Sequence, residues 1–247
     1  MRVSVVIITK NQLPYLEKSL PRIASQRLPG QKPEVIVVDS GSTDGARAYA
    51  EKQGVRLVCL EPHEFGFARA HNAGAEAATG DIIVRLSGDV VPMNNDWLYH
   101  LTQPFEEERV AYTWGSQTLF PSGHYSIWER WVQFVLYSRR DRGATRQVTG
   151  RAHTVLGGNM AVRRKLWQQN PYDESLPQAE DYAWAHFWLR KGDWVGVHVP
   201  QAGVFHGHEE GIWHGIQRSL SQSVLQGLIL AGLIGRRSHS DVSPRHR

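Results

Sequence analysis

The chain has 247 residues, 41% hydrophobic and 21% charged, a balance that excludes a disordered protein and suffices for one large domain or two fused halves. Its single cysteine, Cys59, excludes a disulfide framework and argues against a cysteine-built metal site, and no apolar run reaches the roughly 18–20 residues of a transmembrane helix. The formal net charge of +4 is concentrated in Arg139-Arg140-Asp141-Arg142 and in the tail from Arg236-Arg237 to Arg245-His246-Arg247, which fits either a solvated surface or attraction to phosphates and acidic membrane faces.

The opening MRVSVVIITK runs directly into a β-branched strand, Val3–Ile8, and carries no small-residue cleavage site, so it reads as mature protein. Helical spacing over Leu13–Ser25 follows, with Pro21 placed to kink it. A second strand, Val35–Val38, leads into Ser40-Gly41-Ser42-Thr43-Asp44-Gly45 and a helix to about Gln53. Arg56–Leu60 is a third strand, Phe67–Ala78 a helix closed by Gly80, Ile82–Leu86 a fourth strand and Asn95–Phe105 a further helix. Apolar strands separated by helices predict an α/β fold with a mostly parallel sheet covered on both faces. In such sheets ligands bind beyond the carboxyl ends of the strands. Asp39 and Asp89 each stand just past such an end and are expected to face one crevice.

The second half is less regular. Val110–Leu119 reads as a strand, Ile127–Tyr137 as an aromatic helix, and residues 139–153 as a mobile basic loop. Leu156–Val162 leads into a short helix around Arg164–Trp167, and Ala179–Lys191 is a helix stopped by Gly192. Strands at Trp194–Val199 and Gly203–His206 precede a long helical pattern, Ile212–Gly235, and a frayed tail. The tryptophan-rich segment 114–137 serves either as core or as a surface that stacks on sugar rings or a lipid carrier. No internal repeat is present.

No Gly-x-Gly-x-x-Gly or Walker sequence follows the first strand, which argues against NAD-type and P-loop chemistry, and the glycine-rich loop of a nucleotidyltransferase is missing after Ile8. The first strand ends instead in Thr9-Lys10-Asn11. In the second strand's exit, Ser42 or Thr43 suits a helix N-cap and Asp44 a first helical turn, at about 0.3–1 kcal/mol. Asp39 has no such explanation. It directly follows four apolar residues, where an acid must be hydrogen-bonded or serve a ligand.

Taken in order over about residues 2–215, "VSVVIITKNQLPYLEKSL", "EVIVVDSGSTDG", Phe65-Gly66-Phe67-Ala68-Arg69-Ala70-His71-Asn72-Ala73-Gly74, "LSGDVVP", "GGNMAVRRKLWQQNPYDESLPQAEDYAWA" and "VFHGHEEG" resemble the GT-A-fold glycosyltransferases of family 2, and among them the rhamnosyltransferase-like branch. The resemblance implies a Rossmann-like, mostly parallel sheet with a nucleotide-sugar-binding half (1–109), an acceptor-binding and catalytic half (110–215) and a C-terminal helix with a basic tail (216–247). It places Thr9, Asn11, Asp39, Ser42, Arg69, Asn72 and Ser87 on the donor nucleotide and Trp184 on the substrate. A divalent cation, Mn²⁺ or Mg²⁺, is implied on Asp89, with His206 or His208 as the second ligand. Asp181 is implied as general base, with Glu180 orienting it or binding acceptor hydroxyls. The chain departs from the family in having one acid, Ser87-Gly88-Asp89, where Asp-x-Asp is usual, and in Gly66 and Ala68 of the phosphate-side loop.

The chemistry agrees with the resemblance. A departing nucleoside diphosphate gathers negative charge that a hard cation stabilises, and Mg²⁺ commonly uses one or two carboxylates plus phosphates. An imidazole suits Mn²⁺ somewhat better, and in a strand His206 and His208 share a face. Plain structural roles stand beside these: an exposed helix arginine at Arg69, polar strand-end histidines, and acids complementing a helix dipole at Glu180-Asp181. The expected activity is inverting transfer of a sugar from a UDP- or dTDP-linked donor, rhamnose included, to a hydroxyl of a glycan or lipid-linked acceptor in polysaccharide synthesis, without a covalent intermediate. The alternative is a degenerate GT-A domain that binds nucleotide-sugar or glycan without transfer. Nucleic acid is not an expected partner, because acids are spread throughout and no recognition motif is present. A cytoplasmic location is expected. The helix Leu220–Leu233, followed by Arg236-Arg237, suits either peripheral contact with the inner membrane face or packing on the domain or a second subunit.

Overall fold

The computed structural model describes residues 1–30, 32–134, 145–149, 157–207 and 212–235. Its first half is built as the apolar runs predict. Strands β1 (Val3–Thr9), β2 (Glu34–Asp39), β3 (Arg56–Cys59) and β4 (Ile82–Ser87) are all parallel, with β1 between β2 and β4. Helices α1 (Leu13–Ala24), α2 (Ala46–Lys52) and α3 (Phe67–Ala77) connect them. Burial on both faces explains why β1 carries no polar alternation: Val5 and Ile7 join one core with Leu16, Leu20 and Ile23 of α1, while Val6 and Ile8 join the other with Ala68, Ala70 and Ala73 of α3. α1 continues through Pro21 to Ala24.

The remaining elements are β5 (Val91–Pro92), α4 (Trp97–Thr102), β6 (Val110–Thr118), α5 (Ile127–Val132), β7 (Arg146–Val148), β8 (Asn159–Arg163), α6 (Arg164–Gln169), α7 (Glu180–Arg190), β9 (Val195–Phe205) and α8 (Ile212–Leu230). Among the described residues the strand order is β3-β2-β1-β4-β8-β6-β9-β5, with β7 paired to β9. β8 runs antiparallel between β4 and β6, so one sheet continues from the first half into the second. α7 lies on the α3 face, where Trp184 and Trp188 pack with Tyr112 and Trp167.

This topology sets up the site. In register, Thr9 pairs with Asp39 and Ile8 with Ser87, so the exits of β1, β2 and β4 share one edge of the sheet. β6 and β9 are parallel to each other and end together, Thr118 beside Phe205. Antiparallel β8 starts at the same edge, with Asn159 opposite Leu86.

Several boundaries differ from the expectation. α2 begins after Gly45, which has φ of 95°. Ser42 and Thr43 do not cap it; they bond to Asn11 across the gap between the β1 and β2 exits. The strands expected at 194–199 and 203–206 are one continuous strand, β9. α4 starts two residues late and passes into a 3-10 turn, Gln103–Glu106. Two strands were not anticipated: β7, within the expected loop, and β5, whose Pro92 has no N–H to give and sits at the sheet edge. Residues 135–144, 150–156 and 236–247, which carry parts of the expected aromatic helix, basic loop and tail, lie outside the described residues. Among the described residues no helix is long and apolar enough to cross a membrane.

Candidate active site

At the shared edge, the β2 exit is tied down by Asp39. Its Oδ2 accepts from the backbone N–H groups of Gly41 (3.2 Å) and Ser42 (3.1 Å). Its Oδ1, together with Thr9 Oγ1 one strand away, is buried without a hydrogen-bond partner in the chain. Two buried polar atoms left open side by side at a strand edge are a place for a ligand's donors and acceptors. Asn11 and Ser42 are drawn in differently. Asn11, at φ of 55°, donates its N–H to Ser42 Oγ (2.9 Å) and accepts from Thr43 N (2.8 Å), so both hold the loops together at the rim.

The turn after β4 carries Ser87 and Asp89. Gly88 is required there because a Cβ would collide with the Ile8 carbonyl and the Gln12 side chain. The turn delivers Asp89, 7% exposed, to His206 at the exit of β9, with Oδ1 3.4 Å from Nε2. His206 Nδ1 lies 2.8 Å from Gln117 Oε1 on β6. With its proton on Nδ1, donated to that amide oxygen, the ring would turn Nε2 toward Asp89, the orientation of a metal-binding imidazole with an outer partner. Ligands each about 2.0–2.2 Å from one cation stand some 3–4 Å apart, so this carboxylate and imidazole fit Mn²⁺ or Mg²⁺. No third carboxylate, imidazole or thiol joins them among the described residues. His208, the other histidine expected as a ligand, lies outside those residues.

His206 also lines a cleft of about 220 Å³, together with Gly157, Gly158, Gln178 to Asp181, Ser87, Arg85 and His71. Asp181 and His206, the partner of Asp89, therefore share a cavity. The first turn of α7 presents its two acids unequally. Glu180 is buried in an ion pair with Arg85 Nη2 at 2.5 Å, side chains 5% and 4% exposed. Asp181 faces the cleft, with Oδ1 accepting from Tyr182 N at 2.8 Å. Burial, then the neighbouring Glu180, pushes the Asp181 carboxyl up to about 6, although Arg85 opposes the rise. Burial alone would lower Arg85, but Tyr172, Glu180 and Asp181 around it outweigh that and raise it, so it stays a cation. Burial, then Arg85, holds His71 well below the usual imidazole range, so His71 is neutral at pH 7. Gly157 belongs to the same construction: a Cβ there would overlap Asp181 Oδ2. Ala179, just before these acids, is held at φ of 63°, a left-handed conformation that a non-glycine residue adopts only under constraint.

Three expected site residues stand elsewhere. Asn72 is 4% exposed and its amide makes four bonds within the chain: Nδ2 donates to Tyr172 O and Glu174 Oε1, and Oδ1 accepts from Trp167 Nε1 and Tyr172 N. That exhausts its capacity, so it latches α3 to the 167–174 segment and has nothing left for a nucleotide. Trp184 is core, with Nε1 donating to Asn170 O at 2.6 Å and its ring against Tyr112, Tyr172 and Trp188. Arg69 is not among the cleft-lining residues; it is 40% exposed and 3.9 Å from Glu174. Sequence reasoning passed over Arg85 and Gln117. A cation in the middle of the otherwise apolar β4 was the available signal for Arg85, since a buried charge needs a partner.

The family model described as Glycosyl transferase family 2 matches residues 4–169. "Glycosyltransferase AglE" of Haloferax volcanii is 29% identical over 188 residues, which are 74% of this chain and 59% of that protein. "O-antigen chain rhamnosyltransferase WbaN" of Salmonella anatum is 30% identical over 95 residues, 38% of this chain and 30% of that protein. The chain thus spans less than two thirds of either relative. Among solved structures, mannosyltransferase PcManGT from Pyrobaculum calidifontis, in complex with GDP-Man and Mn²⁺, has a TM-score of 0.72 at 23% identity, covering 97% of this chain and 66% of its own. S. aureus TarS in complex with UDP-GlcNAc has a TM-score of 0.66 at 17% identity, covering 94% of this chain and 71% of its own. At such identities these two structures establish the shared α/β fold.

Proposed function

The chain belongs to glycosyl transferase family 2, and from that premise we propose that it transfers a sugar from a nucleoside-diphosphate donor to a hydroxyl acceptor, with Asp181 as general base and inversion at the anomeric carbon. The observation that supports this most is the single cleft lined by both Asp181 and His206, the latter paired with Asp89. Residues 1–109 hold the donor nucleotide, with Thr9 and Asp39 offering their open polar atoms to the nucleoside. Residues 110–215 hold the acceptor.

The acceptor oxygen attacks the anomeric carbon while Asp181 takes its proton. The bond from that carbon to the diphosphate breaks, and its electron pair leaves with the phosphate oxygen. A divalent cation bound by Asp89 and His206 would neutralise charge on that leaving group. The carboxylates among the cleft-lining residues are Glu180 and Asp181, and Glu180 is tied to Arg85. With Asp181 as base, none remains as a nucleophile among the described cleft-lining residues, which favours one displacement with inversion. His206 supplies the second ligand that the lone acid of Ser87-Gly88-Asp89 lacks, which favours turnover over a binding-only domain.

The proposal is tested by incubating the protein with UDP-, dTDP- and GDP-sugars, with and without Mn²⁺, and measuring release of the nucleoside diphosphate. dTDP-rhamnose belongs in the panel because of the similarity to a rhamnosyltransferase. Metal-dependent release with one donor is expected; no release with any donor overturns the proposal. Two further outcomes follow from the geometry. Asp89→Ala and His206→Ala should each weaken Mn²⁺ binding by at least the roughly 10- to 100-fold that loss of an outer partner costs a metal site, by calorimetry, whereas unchanged affinity in either removes that ligand. The pH profile should have an acid limb. Asp181 accepts a proton only as the carboxylate, so with its carboxyl at about 6 kcat rises with pH through that value and levels off above it. A rate independent of pH between about 5 and 8 contradicts the assignment.

A further inference from the structure

The sequence of α8 reads as an apolar helix, yet its apolar residues do not all face the protein. At its C-terminal end Leu225 and Ile229 pack on Leu176, Ala179, Tyr182 and Ala183. Toward its N-terminus the inward face turns polar. Arg218, Gln222 and Gln226, spaced i, i+4, i+8 along one stripe, line the same cleft as Asp181 and His206. Leu220 and Val224, at 61% and 60% exposed, point away. A helix that merely covered the domain would bury Leu220 and Val224 and leave the arginine and glutamines to water. Here Leu220 and Val224 are exposed, while Arg218 and Gln226 are half-buried and, with the exposed Gln222, line the cleft that Asp181 also lines.

From this arrangement we infer that α8 is a wall of the acceptor subsite and that Arg218 recognises an anionic group, a phosphate or carboxylate, carried by the acceptor. The inference rests on the proposed transfer reaction for the meaning of the cleft. Its chemistry is independent of it. The carboxylates in the cleft offer an anionic ligand no partner: Glu180 holds Arg85, and Asp181 repels anions once ionised. Arg218 brings a planar, bidentate donor to the lining of the same cleft, and Gln222 and Gln226 add neutral amides for the hydroxyls around the anion. An acceptor pinned by its charge to α8 would present its hydroxyl toward Asp181, the positioning that makes one base sufficient.

A diphosphate of the donor could draw on the same arginine, so the test separates the two sources. Phenyl phosphate, as the acceptor-anion probe, and UDP, GDP and dTDP, with Mn²⁺, are titrated calorimetrically into the full chain, wild type and Arg218→Gln. The phenyl phosphate titration is run both with and without nucleotide. The expected result is phenyl phosphate binding that is at least about tenfold weaker in Arg218→Gln, with nucleotide affinity unchanged. Gln222→Ala, which removes no charge, should weaken phenyl phosphate only a few-fold. If Arg218→Gln weakens the nucleotide by the same factor, the arginine serves the donor and the inference falls. It falls equally if wild type and variant bind phenyl phosphate alike or not at all. Failure of wild type to bind any nucleotide, with Arg218-dependent phenyl phosphate binding intact, would overturn the transferase proposal while sustaining the anion subsite.

Discussion

Asp181→Asn should abolish transfer while leaving the donor in place. The substitution keeps the side chain's size and its bond to Tyr182 N, and it removes the ability to take a proton. A positioned general base contributes about 10²–10⁴-fold, and kcat should fall by that factor. In the proposed arrangement the donor nucleotide is held by Thr9, Asp39 and the Asp89–His206 pair and not by Asp181, so its affinity should stay within about twofold. Steady-state kinetics with donor binding measured separately distinguish the roles. Equal losses in both would make Asp181 a structural residue. The acid limb of the pH profile should also vanish from whatever rate remains.

Arg85→Met should be the most destabilising single change near the site. It leaves the Glu180 carboxylate, 4% exposed, with no cation. Breaking such a buried pair costs about 3–5 kcal/mol, because the remaining charge stays desolvated. In a chain of this length that lowers Tm by roughly 10 °C. The double variant Arg85→Met/Glu180→Met should recover most of the loss, since replacing both partners with apolar groups of similar volume removes the stranded charge. If it stays as unstable as Arg85→Met, the cost lies in the contact of Arg85 with the Tyr172 ring, whose centroid is 4.6 Å away. Any residual transfer by Arg85→Met should show its acid limb at higher pH than wild type, because Arg85 opposes the upward shift of Asp181.

These two residues illustrate what could be read from the chain alone. β1, β2 and β4 are mostly β-branched, largely apolar runs that end in polar residues. For a parallel sheet buried on both faces, that pattern settles strand existence, and the strand-end rule then places Thr9, Asp39 and Asp89 on one edge. The pairing of Asp89 with the end of β9 was anticipated through the family's histidine segment. What resisted reading are partners distant in sequence. Arg85 and Glu180 are 95 residues apart, and Gln117 and His206 are 89 apart. No local periodicity encodes either pair. Asn72 and Trp184 were expected at the ligand because they sit among motif residues, but tertiary contacts took up every polar atom that Asn72 has and the indole N–H of Trp184. The apolar content of α8 suggested membrane contact or packing on the domain or a second subunit, and its C-terminal end does pack on the domain; the stripe of Arg218, Gln222 and Gln226, which lines the cleft, was passed over.

The central claim is that Asp181 faces the Asp89–His206 pair across one cavity in which the sugar changes hands. A crystal structure of the protein with Mn²⁺ and the nucleoside diphosphate released in the donor screen tests it most directly. The metal should sit on Asp89 and His206 Nε2, the nucleoside against Thr9 and Asp39, and the diphosphate on the cleft side that faces Asp181. A metal bound without Asp89, or a nucleotide seated away from this cleft, would contradict the account.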